Sequence, residues 1–213
     1  VKDTRLLLRD PSQWSQLLVL VALAGVYLVS MNSLDVELQQ FKDAVGTMNL
    51  AFLAFMLSGV GIRMAYPMVS LEGEGFWLLR TSNLSSRQIV LIKFWHALPI
   101  MLFMGIGLGL ATALMIDVSP TLAWAAPMAG LSAALVITGL GVGLGAAFPR
   151  FDANNPAEIP LSPGGLLYMT FSLMFAGIMT VLLAYPAWFS LGSPTNVFGV
   201  RPTDAVLWLQ PQG

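Results

Sequence analysis

Five stretches without a charged residue, at 11–34, 44–62, 94–116, 118–149 and 159–200, alternate with short charged segments. A run of about 18 or more mainly apolar residues is long enough to cross a bilayer as a helix, because only there are all its backbone polar groups satisfied internally. The pattern therefore predicts an all-α fold, a polytopic transmembrane helical bundle with about five spans. These are Trp14–Met31, Ala44–Ile62, a third opening at Ser85, Leu122–Phe148 and Leu166–Tyr185. Between them lie an acidic loop at 32–43, a segment at 64–93, a tight turn at 116–121 and a loop at 149–165.

The cations orient this array. With every run crossing once, Lys2, Arg5, Arg9, Arg63, Arg80, Arg87, Lys93 and Arg150 fall on one side, and only Lys42 and Arg201 on the other. Cytoplasmic loops carry the excess of Lys and Arg, so the N-terminus is expected to be cytoplasmic. On that reading 1–13 is an interfacial or cytoplasmic flank, 64–93 and 149–165 are cytoplasmic, and the tail 186–213 is external. The flank has two readings. Leu6, Leu7 and Leu8 among three basic residues fit a short helix lying in the interface, and they fit equally a basic segment that only orients span one. Val1 in place of Met, and an odd number of crossings, are taken as signs of a longer polypeptide with a sixth span, without a signal peptide.

Local signals refine the spans. Ser85 followed three residues on by Gln88 is a capping box, with Leu84 and Ile89 placed as a hydrophobic staple, so a helix should start there. Pro99 and Pro127 lie inside spans three and four. Gly105/Gly109, Gly139/Gly143 and Gly141/Gly145 each set small residues one turn apart, the spacing at which two membrane helices approach closely. Gly105, Gly109, Gly139 and Gly143 are accordingly candidate helix-packing positions. The plain reading is packing within one subunit; the sharper one is a dimer seam or hinge.

Composition agrees and excludes much chemistry. Hydrophobic residues make up 56% and charged residues 10%, where an average soluble domain carries about 25% charge. Mean hydropathy is +0.76. A formal net charge of −1 offers no basic field for nucleic acid. The chain has no cysteine, which removes disulfides, thiolate metal sites and Cys nucleophiles. No Asp, Glu, Lys or Arg lies at depth in an expected span, Arg87 and Lys93 falling before the uncharged run 94–116 of the third, so ion-coupled carriage lacks its usual intramembrane group. No G-x-x-x-x-G-K-[ST] occurs, so nucleotide phosphates are not expected to be gripped by this chain. His96 is the sole histidine and reads first as an interfacial packing residue, with a ligand or proton-shuttle role as the rival reading. Asn155-Pro156-Ala157, single and in a polar loop, reads as turn chemistry, and Asp152 with Asn154 falls short of a metal shell. No catalytic, cofactor-binding or metal site is expected.

The segment Ser70–Arg80 (SLEGEGFWLLR) is the most informative constellation. Glu72 and Glu74 are placed to face Arg80, and Phe76, Trp77, Leu78 and Leu79 are bulky and apolar on the expected cytoplasmic side. Such a segment either lies on the membrane with Trp77 as anchor or docks a soluble partner through aromatic anchors and acidic register contacts.

At these residues the chain resembles a known family. Ser70–Pro99 (SLEGEGFWLLRTSNLSSRQIVLIKFWHALP), Gly143–Ile159 (GLGAAFPRFDANNPAEI) and the opening KDTRLLLRDPSQWSQL are similar to bacterial ABC-2-type exporter permeases, over nearly the whole chain. The resemblance implies the C-terminal half of such a permease: a multi-pass protein of the bacterial cytoplasmic (inner) membrane, with no ATPase site of its own. It further implies a separate ABC ATPase subunit and a second permease half, or the rest of the same polypeptide, as partners beside the lipid bilayer. The role of partner coupling is carried onto Glu72, Glu74, Phe76, Trp77 and Arg80. The function so implied is outward substrate movement driven by the partner ATPase. The rival is a structural or accessory membrane protein packed within a larger complex.

Overall fold

The computed structural model describes residues 39–75, 81, 85–116, 118–151 and 156–191, with single helical positions at 18, 22, 25, 26, 29 and 30. Among the described residues the structure is wholly helical. Four long helices, α1 (Gln39–Met64), α2 (Ser86–Met115), α3 (Pro120–Ala147) and α4 (Pro163–Leu191), are joined by 3-10 turns at Tyr66–Met68, Ser70–Gly75 and Pro156–Leu161. All four are long and apolar enough to cross a membrane. At 26 to 30 residues each, they rise about 40–45 Å, against a hydrocarbon core of about 30 Å.

Local chemistry sets the helix starts. The Ser85 side chain accepts from the Gln88 backbone N–H, and the Gln88 side chain accepts in turn from the Ser85 N–H at 2.8 Å, closing the expected capping box. Leu84, the other half of the expected staple, lies outside the described residues. Helix α3 opens with Pro120, whose missing N–H and fixed φ suit the first helical position. The Asp43 carboxylate accepts from Ser119 N–H at 2.8 Å, supplying negative charge where α3 exposes its unpaired donors. Pro99 and Pro127 sit inside continuous helices, a position membrane helices tolerate when neighbours take up the freed carbonyls.

Close approaches at matched positions define the packing. Gly105 lies against Gly130, and Gly109 against Ala126 and Pro127, so α2 and α3 run antiparallel. Gly46 and Gly61 of α1, and Ala65 just beyond its end, meet Leu122, Ile137 and Gly141 of α3, a constant offset that makes α1 and α3 parallel. Tyr168 of α4 reaches Gly61, and Gly164 reaches Tyr66, so α4 is antiparallel to α1. The core runs along α1 through Leu50, Leu53, Ala54, Leu57 and Val60 to Tyr66, and is closed by Met101, Ala133, Ala134, Ile137 and Tyr168.

Several sequence expectations are refined. The expected first span, Trp14–Met31, lies mostly outside the described residues, as do the flank 1–13 and the tail from 192. The last helix begins at Pro163 and continues to Leu191, beyond both expected ends, Leu166 and Tyr185. Its early start takes it into the expected loop 149–165, where Pro156–Leu161 already forms a 3-10 turn. Ser86 to Lys93 are the first turns of α2, as the Ser85 cap led one to expect, so the 64–93 segment ends in helix.

Candidate functional site

The chain between α1 and α2 does not leave the bundle at once. After Met64 it turns at Ala65, and Ala65, Tyr66, Met68, Val69 and Ser70 are all buried. The sequence folds this way because Pro67 follows Tyr66 and disfavours further α-helix at the residue before it. Glycines elsewhere make the room. A side chain at Gly145 would collide with the Tyr66 carbonyl and one at Gly164 with the Tyr66 hydroxyl, while one at Gly141 would come within 2.8 Å of the Ala65 Cβ. Residues 65–72 thus form a wedge seated between α3 and α4.

Three polar ties hold the wedge. The Tyr66 and Ser162 hydroxyls share a hydrogen bond of 2.7 Å, connecting it to the turn before α4. Arg150 N–H donates to Ser70 Oγ at 3.0 Å, connecting it to the segment after α3. The Glu72 carboxylate pairs with the Lys93 ammonium of α2. The last tie is withdrawn from solvent, the Lys93 and Glu72 side chains being 6% and 10% exposed. A charge so placed is strongly disfavoured unless partnered, so each ion fixes the position of the other. Just beyond, Gly73 takes φ 50° and ψ −131°, a backbone that side chains disfavour, and the chain kinks there.

The ring of Tyr66 packs near that of Tyr168, centroids 6.0 Å apart, and the Tyr168 hydroxyl donates to the Ser58 carbonyl at 3.2 Å. Beneath the wedge, then, α1 and α4 are also joined by a buried polar contact. Among the described residues no three His, Asp or Glu side chains gather as a metal site. Residues 65–72 are thus tied at once to Lys93 in α2, to Ser162 just before α4 and to Arg150 just after α3.

Of the sequence candidates, Glu72 lies in this site. Glu74 is on the same 3-10 turn, its side chain outside the described set, and Phe76, Trp77 and Arg80 lie outside the described residues. Gly105 and Gly109 sit at the α2–α3 contact, whereas a side chain added at Gly143 would meet nothing within 4 Å and one at Gly139 only Phe94 at 3.9 Å. The tight contacts of that glycine run are at Gly141 and Gly145, two residues out of step. His96 is half-buried beside exposed Trp95. Sequence reasoning missed the roles of Tyr66, Lys93, Arg150 and Ser162, and had Ser70 only as the start of the 70–80 segment. Lys93 alone carried a local signal, a cation two turns inside an apolar helix that begins at a certain cap.

A family model described as "Putative ATP-binding cassette" matches residues 1–209. No curated protein and no solved structure matches the chain. The family match corrects the resemblance drawn from Ser70–Pro99 and Gly143–Ile159: the family is an ATP-binding-cassette family and not a permease family, ABC-2-type or other. It overturns the exporter-permease function on the same ground. It also overturns the expectation of a chain with no ATPase site, since the family's description implies one. Apolar helical segments with basic connections are common to many membrane proteins, so the quoted motifs resemble more than one family and could not separate them. With nearly its whole length matched, the chain belongs to the family described as a putative ATP-binding cassette.

Proposed function

We propose that the chain works within an ABC transporter as a multi-pass component of the bacterial cytoplasmic membrane. In this reading it crosses five times from a cytoplasmic N-terminus, and the segment 70–80 meets an ABC ATPase subunit. Bilayer lipid is its other partner, and nucleic acid is none. The carrying observation is the wedge, with the Glu72–Lys93 pair binding the base of segment 70–80 to α2. A partner that bears on Glu72, Glu74, Phe76, Trp77 and Arg80 would thereby act on the bundle directly. The four long apolar helices support the membrane placement, and the cation asymmetry supports the orientation.

The absence of cysteine makes the test direct. Leu71, 45% exposed at the wedge end, and Thr121, exposed at the opposite end of the bundle, are replaced singly by cysteine. In intact cells an impermeant maleimide should label Thr121→Cys and should reach Leu71→Cys only after permeabilisation. A photo-cross-linker on Leu71→Cys should capture a polypeptide that mass spectrometry shows to carry a P-loop. Labelling of both positions from one side defeats the topology. Failure of Leu71→Cys to capture any P-loop polypeptide, with the chain normally inserted, defeats the partner assignment.

A further inference from the structure

The first turns of α2 present two chemically opposite faces. Ile89, Lys93 and Ala97 point into the bundle, where Lys93 is committed to Glu72. On the outer side Arg87, Leu91 and Trp95 follow at i, i+4 and i+8, one stripe down the helix. Arg87 is exposed, Leu91 is 45% and Trp95 66% exposed, and Ile92 beside them is 53% exposed. The Trp95 ring is held by an edge contact with Phe94, centroids 5.8 Å apart. The stripe spans about 12 Å along the axis, with its cation at the capped end and its indole deeper.

We propose that this stripe is a binding site for the phosphate headgroup of an anionic phospholipid. The inference rests on the membrane placement proposed above. A guanidinium presents a planar fork that matches phosphate oxygens, and it is the more weakly hydrated of the two basic groups. An indole two turns below takes the amphipathic boundary where headgroup meets acyl chain. Leu91 and Ile92 offer apolar surface to the upper part of an acyl chain. The other cation of these turns is neutralised inside the bundle, so the outward charge of the stripe belongs to Arg87. A lipid with net negative charge gains that attraction, while a zwitterionic one brings its own cation and gains less.

The test uses the full chain in vesicles of phosphatidylglycerol and phosphatidylcholine in equal amounts, bromine being carried on one lipid or the other. Difference spectra against Trp95→Phe and Trp124→Phe isolate the two emissions; Trp124, 79% exposed, lies near the other end of the bundle. Brominated phosphatidylglycerol should quench Trp95 about fivefold more effectively than brominated phosphatidylcholine, the ratio one cationic contact near an anionic surface provides. Trp124 should be quenched equally by both, and Arg87→Gln should equalise them at Trp95. Equal quenching of Trp95 in the unaltered chain overturns the site. Trp95 protected from both lipids while Trp124 is quenched shows the stripe covered by protein, and also overturns it. If neither tryptophan is quenched, the membrane placement itself fails.

Discussion

Lys93 and Glu72 show how a single pair can decide a local structure. Removing two charges from water is unfavourable by several kcal/mol per ion, and their attraction offsets this only while both are present. Lys93→Met alone leaves the Glu72 carboxylate 10% exposed without that ammonium, and should destabilise the bundle by about 3–5 kcal/mol. Glu72→Leu alone should cost a similar amount. The double variant, apolar at both positions, should recover most of the loss, as replaced buried pairs commonly do. Thermal unfolding in detergent, analysed as a double-mutant cycle, checks this; additive losses would mean the two groups do not depend on each other. Gly73 sets a second condition on the same segment. Its φ of 50° makes Gly73→Ala strained by about 1–3 kcal/mol, although the space around it is open. Limited proteolysis near residue 75 should rise in that variant and remain unchanged in Gly107→Ala, where the backbone is helical and equally uncrowded.

Among the helices, glycine position matters more than glycine content. Residues i and i+4 share a helix face, while i and i+2 lie on nearly opposite ones. A run such as Gly139–Gly145, with glycine at every second place, therefore offers two candidate faces, and the sequence holds nothing local to choose between them. The structure uses Gly141 and Gly145, because Ala65 and Tyr66 arrive on that side. Gly105→Ala should lower stability by about 1–3 kcal/mol, the usual cost of overpacking, since its new methyl meets the Gly130 carbonyl, which is backbone and cannot swing away. Gly143→Ala should instead be neutral or stabilise by up to about 1 kcal/mol through helix propensity. Melting temperatures of the two variants decide it, and equal losses would contradict the assigned faces. The Ser85–Gln88 cap was legible for the opposite reason: every group it needs lies within four residues. The wedge was not, since Ala65 to Ser70 is buried by glycines of α3 and α4 that are about 75 to 100 residues away in sequence.

At the scale of the whole molecule, polarity along the chain indicates depth in reverse of the rule for soluble proteins. Helix α1 carries Thr47, Asn49 and Ser58, all buried, and it lies against each of the other three helices. Helices α2 and α4 instead turn Phe103, Leu114, Ile178, Val181 and Leu182 outward. In hydrocarbon an apolar side chain gains little by leaving the surface, while a polar one must find a partner inside. Asn49 finds one, donating to the Thr112 hydroxyl of α2 at 2.8 Å, while Thr112 donates to the Leu108 carbonyl at 2.9 Å. The long apolar helices were readable from the uncharged runs, but the identity of the central helix was not, because that depends on which polar residues meet across helices. Asn49→Leu, though it raises hydrophobicity, should lower stability by about 0.6–2 kcal/mol by removing the interhelical bond. Phe103→Leu, at a position 82% exposed, should leave the melting temperature unchanged in detergent. If Asn49→Leu proves stabilising while Phe103→Leu is harmful, the bundle is inside out relative to the arrangement described, and α1 does not stand at its centre.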